Sequence, residues 1–140
     1  MNTLVDTSVW SLALRRHPKD LTAAEQSVVS ELTELIREGR ARIIGLIRQE
    51  LLSGIRAAGQ YGKLRIALRP FPDEPMDAPD YEAAALASNA CRAKGIATSI
   101  VDALICQIAL GRHWDIFTTD PDFEGYAKVL PIKLHAPRAT

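Results

Sequence analysis

Asp6, Glu50, Asp102 and Asp120, with Asp122 close behind, are the residues of this chain best suited to chemistry. All five supply hard carboxylate oxygens, and a set of such oxygens without Cys or His favours magnesium or manganese over zinc. Carboxylates that converge repel, raise one another's pKa and destabilise the fold unless a divalent cation joins them. Taken singly, each also has a structural explanation. Asp6 can cap the helix that follows, alone or with Thr7 or Ser8. Ser99-x-x-Asp102 has the form of a capping box, and Asp120-Pro121 that of an N-cap with proline at the first helical position. Asp122 would add favourable charge to the same first turn. Glu50 has the simplest explanation, a solvent-facing helix residue.

Their joint placement is harder to explain structurally. Asp6 directly follows Leu4-Val5, and Asp102 is embedded in the apolar run Ile100, Val101, Ala103, Leu104 and Ile105. Glu50 falls on the shoulder of the stripe formed by Ile47, Leu51, Ile55 and Ala58, not on the opposite side. Acids at core margins are costly unless paired, and no basic residue neighbours Asp6, Asp102 or Asp120 in sequence. Only His17, His113 and His135 are present, in no nucleophile pattern. What this favours is a divalent cation held where the carboxylates converge.

The elements that must position these acids alternate between strand and helix. Thr3 to Val5 is a short apolar strand, and Val9 to Arg16 reads as a first helix. Helical spacing of Val28, Val29, Leu32, Leu35 and Ile36 predicts a helix over 21–38, closed by Gly39. A strand at 42–46 and a helix over 47–58 ended by Gly59 follow, then a helix over 61–68. Pro70-Phe71-Pro72 leaves room for a short edge strand at most. Helices over 80–94 and 100–111, a strand at 115–118, a short helix over 121–127 and a last strand at 129–133 complete the pattern. It predicts an α/β fold with a mainly parallel sheet, whose ligand site lies beyond the carboxyl ends of the strands. Asp6 and Asp120 then follow strand ends, and Asp102 opens the helix before the second of those strands. Residues 1–134 are expected to form one domain, and residues 135–140 a frayed tail.

At 140 residues the chain can bury a core without disulfides, and Cys91 and Cys106 read as reduced core thiols. No apolar run approaches the roughly 18 residues of a membrane span, and the N-terminus lacks the basic start of a signal peptide, so the expected location is the cytoplasm. The net charge is zero, with 17 bases against 17 acids, but the charges are segregated. Eight bases and two acids lie between Arg37 and Arg69, and five acids and no base between Asp73 and Glu82. A basic surface around an acidic, metal-filled pocket suits a polyanionic substrate, whereas solvated helix faces are the plainer explanation for any single residue.

The segments Val5-Asp6-Thr7-Ser8-Val9, Glu50-Leu51-Leu52-x-Gly54, Val101-Asp102-Ala103-Leu104-Ile105 and Thr118-x-Asp120-x-Asp122-Phe123 resemble the PIN-domain nucleases, and within these the VapC toxins of bacterial toxin–antitoxin modules. The resemblance runs from Val5 to the final strand. It implies a three-layer α/β/α fold with four or five central, mainly parallel strands, and metal-dependent endoribonuclease activity. It puts Asp6, Glu50, Asp102 and Asp120 at the family's acidic positions, Asp122 at a more variable one, and Ser8 and Thr118 at polar positions near the site. The reaction it implies is phosphodiester hydrolysis by a metal-activated water, giving 5′-phosphate and 3′-hydroxyl products, with Asp6, Asp102 and Asp120 binding metal and Glu50 a water-mediated ligand or general base. It also implies a Mg2+ (or Mn2+) cofactor, an RNA substrate, a homodimer and an antitoxin partner bound near the first helices, where Trp10, Leu12 and Leu14 lie. Three other readings remain open. One is a non-catalytic RNA-binding domain on the same fold. Another is a housekeeping nuclease that processes RNA or DNA. The third is a phosphatase of the haloacid dehalogenase type, which requires D-x-D where this chain has Asp6-Thr7-Ser8.

Overall fold

A computed structural model describes residues 1–139. Its centre is a parallel sheet of β1 (Thr3–Val5), β2 (Ala41–Arg42) and β3 (Asp115–Phe117), in the order β2-β1-β3. Thr3 stands opposite both Ala41 and Asp115, and Val5 opposite Phe117. Single parallel bridges, Ile43 to Asp73 and Ile116 to Leu134, extend the sheet by one residue pair on either flank. The expected parallel sheet is therefore present, with three paired strands and two bridges in place of four or five full strands. Thr3, Leu4 and Val5 are all 0% exposed, as in a strand covered on both faces.

Among the described residues seven α-helices surround it: α1 (Thr7–Leu14), α2 (Ala23–Arg37), α3 (Gly45–Leu52), α4 (Ala58–Leu68), α5 (Ala78–Ala93), α6 (Ile100–Arg112) and α7 (Asp122–Tyr126). Six of them form two packed groups. One runs α2–α1–α3–α4 and the other is α5–α6, with α6 against β1 and β3. The longest helices start where reciprocal capping boxes form, Thr22 with Glu25 for α2 and Asp77 with Asp80 for α5. Both end before a glycine of positive φ, Gly39 at +69° and Gly95 at +80°. His113 closes α6 in the left-handed conformation at φ +60°, so it is a helix-end residue. No helix among the described residues is long and apolar enough to cross a membrane.

The expected helix over 47–58 is instead α3, which stops at Leu52. Gly54, at φ +83°, breaks the chain there, and Gly59 lies inside the first turn of α4. Glycine in a helix costs backbone entropy, about 1 kcal/mol, which weakens a helix without stopping it. The expected last strand does not form. Amides of Lys128, Val129 and Leu130 bond back to Gly125 and Tyr126, winding the chain past α7, and Pro131 has no N–H to give a ladder. The chain meets β3 in a single bridge at Leu134, where the Ile116 amide donates to the Lys133 carbonyl at 2.8 Å.

The segment expected to fray from His135 is docked as far as Arg138. The His135 amide donates to the Ile116 carbonyl at 2.7 Å. Its ring nitrogens lie 2.8 Å from Asp115 Oδ2 and 2.7 Å from Glu31 Oε2, and Arg138 Nε donates to Glu31 Oε1 at 2.8 Å. Residue 140 of that tail lies outside the described residues. Glu31 and Asp115 are two of the three buried acids, so the tail supplies the donors that make their burial tolerable. Trp10 and Leu12 are core residues, at 1% and 7% exposed, and the Trp10 indole N–H donates to the Val5 carbonyl at 3.0 Å. Leu14, at 36%, is the exposed member of that set. Both cysteines are buried free thiols, and burial pushes Cys106 up to about 12.

Candidate active site

Strand register builds one side of the site. Because Val5 pairs with Phe117 in parallel, the next residues, Asp6 and Thr118, leave the sheet side by side at its carboxyl edge. Thr118 Oγ1 donates to Asp6 Oδ2 at 2.7 Å and Ser8 Oγ donates to the same oxygen at 2.9 Å. Each hydroxyl has its direction set from behind. The amide of Asp120 donates to Thr118 Oγ1, and that of Thr119 to Ser8 Oγ, both at 3.0 Å. A hydroxyl that accepts from an amide keeps its single proton for the carboxylate. Asp6 makes no side-chain cap to α1, although it occupies the N-cap position. Its capping explanation therefore fails.

Helices α6 and α7 build the other side. Ser99 caps α6 through the Asp102 amide at 3.0 Å, but the reciprocal half of a capping box is missing. The Asp102 carboxylate instead accepts from the Tyr126 hydroxyl at 2.7 Å. Asp120 retains part of its capping role, accepting from the Asp122 amide at 2.9 Å through Oδ1. One carboxylate oxygen from each of Asp102, Asp120 and Asp122 falls within 4.8 Å of the others. Asp6, 6% exposed, is near enough for its charge to act on Asp102. Burial pushes the Asp102 carboxyl above its ordinary value, the Tyr126 hydrogen bond pulls it part of the way back, and the charges of Asp6 and Asp120 push it up again.

Glu50 stands apart from this convergence. It projects from α3, is exposed, and accepts from Thr7 Oγ1 at 2.7 Å, one residue beyond Asp6. Thr7, Gln49, Glu50, Ser53 and Val101 line an open hollow of about 440 Å³. The structure thus clusters Asp102, Asp120 and Asp122, sets Asp6 with Ser8 and Thr118 against them, and leaves Glu50 at the rim. Sequence reasoning missed two residues. Thr7 was weighed only as a cap, and Tyr126 not at all. An aromatic residue in a short helix reads as core, and its polar partner is 24 positions away.

Among the described residues no Lys, Arg or His pairs with Asp6, Glu50, Asp102, Asp120 or Asp122. All ion pairs lie elsewhere, such as Arg48 with Asp73, Arg112 with Asp80 and Arg138 with Glu31. The contrast is sharpest among the buried acids. Glu31 and Asp115 share His135, whereas Asp6 has only neutral hydroxyls. Converging oxygen donors with no counter-charge from protein fit a hard divalent cation by the chemistry of the donor set.

A family model described as PIN domain matches residues 3–129. The chain belongs to the PIN-domain family. Solved structures with the same fold include FitAcB from Neisseria gonorrhoeae, 22% identical with a TM-score of 0.75 over 96% of this chain and 97% of that one. VapBC2 from Rickettsia felis, bound to a DNA fragment from its promoter, is 18% identical with a TM-score of 0.74 over 96% and 98%. A toxin–antitoxin complex from Klebsiella pneumoniae is 17% identical with a TM-score of 0.62 over 99% and 100%. No curated protein sequence matches significantly.

Proposed function

We propose that this PIN-domain protein is a divalent-cation-dependent endoribonuclease and the toxin of a toxin–antitoxin pair of the VapC type. The observation that carries the nuclease reading is the buried Asp6, without any cationic partner, facing Asp102, Asp120 and Asp122 at the carboxyl edge of the sheet. Asp6, Asp102 and Asp120 would hold Mg2+ or Mn2+, with Asp122 as a further ligand. When bound, such a cation neutralises charge on the phosphate and acidifies a water.

The remaining work falls to side chains of this chain. Ser8 and Thr118 hold Asp6 Oδ2 and leave Oδ1 free of side-chain donors. Thr7 holds Glu50 through Oε1, so that Oε2 is available to take a proton from the attacking water. The nucleophile is water and not the ribose 2′-hydroxyl, so the products carry a 5′-phosphate and a 3′-hydroxyl. Arg56, Lys63, Arg65 and Arg69, in α4 and beside its ends, are exposed and make no ion pair among the described residues. They supply the positive surface that a polyanion needs. Several other bases of the 37–69 stretch are engaged, Arg37 with Glu34, Arg40 with Glu38 and Arg48 with Asp73, so the basic surface is narrower than the sequence suggests.

The toxin assignment is supported by structural neighbours that are a toxin–antitoxin complex and a VapBC2 complex on promoter DNA. It carries with it an antitoxin partner, a homodimer and a cytoplasmic location. The test is expression of the chain beside Asp6→Asn. Wild type is expected to arrest growth and to cleave RNA only with Mg2+ or Mn2+, and the variant to do neither. Cleavage that persists in a chelator, or arrest that survives Asp6→Asn, overturns the proposal.

A further inference from the structure

Tyr126 ends the short helix α7 that Asp122 begins. Its ring is 2% exposed and packs edge-on against Phe123, with centroids 5.1 Å apart. Phe123 is itself fully buried, so the ring is anchored in the core and its hydroxyl has a fixed place. A phenol is protonated at neutral pH and so offers an O–H donor. That donor meets Asp102 Oδ2 at 2.7 Å.

The bond does two things. It occupies one carboxylate oxygen with a neutral donor, which fixes the plane of the carboxylate and leaves Oδ1 for another partner. It also joins α6, which carries Asp102, to α7, which carries Asp122. Asp6 is treated the same way on the opposite side, where Ser8 and Thr118 both bind Oδ2. In each case Oδ2 is bound by hydroxyls and Oδ1 takes no side-chain hydrogen bond.

We propose that Tyr126 is a positioning residue for the divalent cation, orienting Asp102 and locking α7 so that the oxygens of Asp102, Asp120 and Asp122 converge. The proposal rests on the reading of these acids as a cation site. The plainer alternative is that a buried phenol merely needs an acceptor and finds one in Asp102.

Titration of the full chain with Mn2+ alone, followed by calorimetry and by the Mn2+ paramagnetic resonance signal, separates the two. Tyr126→Phe keeps the ring and removes only the hydroxyl. It is expected to fold and to bind Mn2+ about 10–100-fold more weakly, the usual effect of losing a hydrogen bond behind a metal ligand. The rise in melting temperature that Mn2+ produces should shrink as well. A purely structural role would instead lower the metal-free melting temperature and leave the Mn2+-induced rise and the affinity intact. Asp102→Asn is the internal reference. Wild-type affinity in Tyr126→Phe, with affinity lost in Asp102→Asn, overturns the positioning role alone. Wild-type affinity in both overturns the cation site, and the positioning role with it.

Discussion

Glu31 offers the clearest quantitative test of the fold, through Glu31→Gln. Its side chain is 2% exposed, and both oxygens take several donors. Oε1 accepts from the Arg138 amide at 3.1 Å and Nε at 2.8 Å, and Oε2 from Arg138 Nη2 at 3.1 Å beside His135 Nε2 at 2.7 Å. Burial opposes ionisation, but the bonds from Arg138 and His135 win and hold the carboxyl at about 2, down from 4.5. At about 1.36 kcal/mol per pH unit this is at most ~3 kcal/mol of stability. The Arg138 side chain is 44% exposed, so solvent screening reduces the expected value to about 2 kcal/mol. Because the folded pKa is depressed, this stability is fully present above 4.5 and is lost as pH falls through about 2. Urea unfolding of wild type and variant should differ by about 2 kcal/mol at neutral pH, and by about 1 kcal/mol less at pH 3.5. The gap is best followed from pH 5.5 downward, where carboxyl groups and not imidazoles titrate. The groups facing Glu31 in that window are His135, which also meets Asp115, and Arg138, which also meets Glu38. A gap that stays constant with pH, or is absent at neutral pH, refutes the argument.

Thr118→Val removes the hydroxyl that donates to Asp6 and accepts from Asp120. It should lower stability by about 1–3 kcal/mol and reduce turnover more than substrate affinity, since what it misplaces is a carboxylate; steady-state kinetics and thermal melting check both. Asp102→Asn relieves repulsion from Asp6 and Asp120, so in chelator it should melt about 2–4 °C above wild type, the shift of ~1 kcal/mol in a chain of this size. Melting below wild type in chelator would show that the acids do not strain the metal-free fold.

What the amino-acid order reveals here depends on how far apart the interacting partners lie. The capping boxes and glycine stops of α2 and α5 are written within a few residues, and both helices fall within two residues of their expected ends. Gly59 reads as the stop of the helix over 47–58, but the positive φ of Gly54 ends it earlier. The apolar run 129–133 reads as a strand, and Pro131 inside it is the local signal against one. The docking of the tail was illegible, because Glu31 and His135 are 104 positions apart and neither has a pattern of its own. The acids were legible by type, since five carboxylates on strand ends and apolar helix margins have few structural uses in combination. Their supports were not. The bonds from Thr7 to Glu50 and from Tyr126 to Asp102 depend on which elements meet, and no local spacing carries that.

The strand order has a consequence for biosynthesis. The first strand made, β1, is the central one, and its neighbour β3 is made only at residues 115–117. Until then Asp6 hangs from a strand with one open edge, and the hydroxyl of Thr118 that grips it does not exist. A chain broken off before that point lacks Thr118, Asp120 and Asp122. The same long loop makes closure of β1 on β3 a late, non-local step in folding. The contact between Asp6 and Thr118 therefore waits on synthesis of residues 115–118, more than a hundred positions after Asp6 itself.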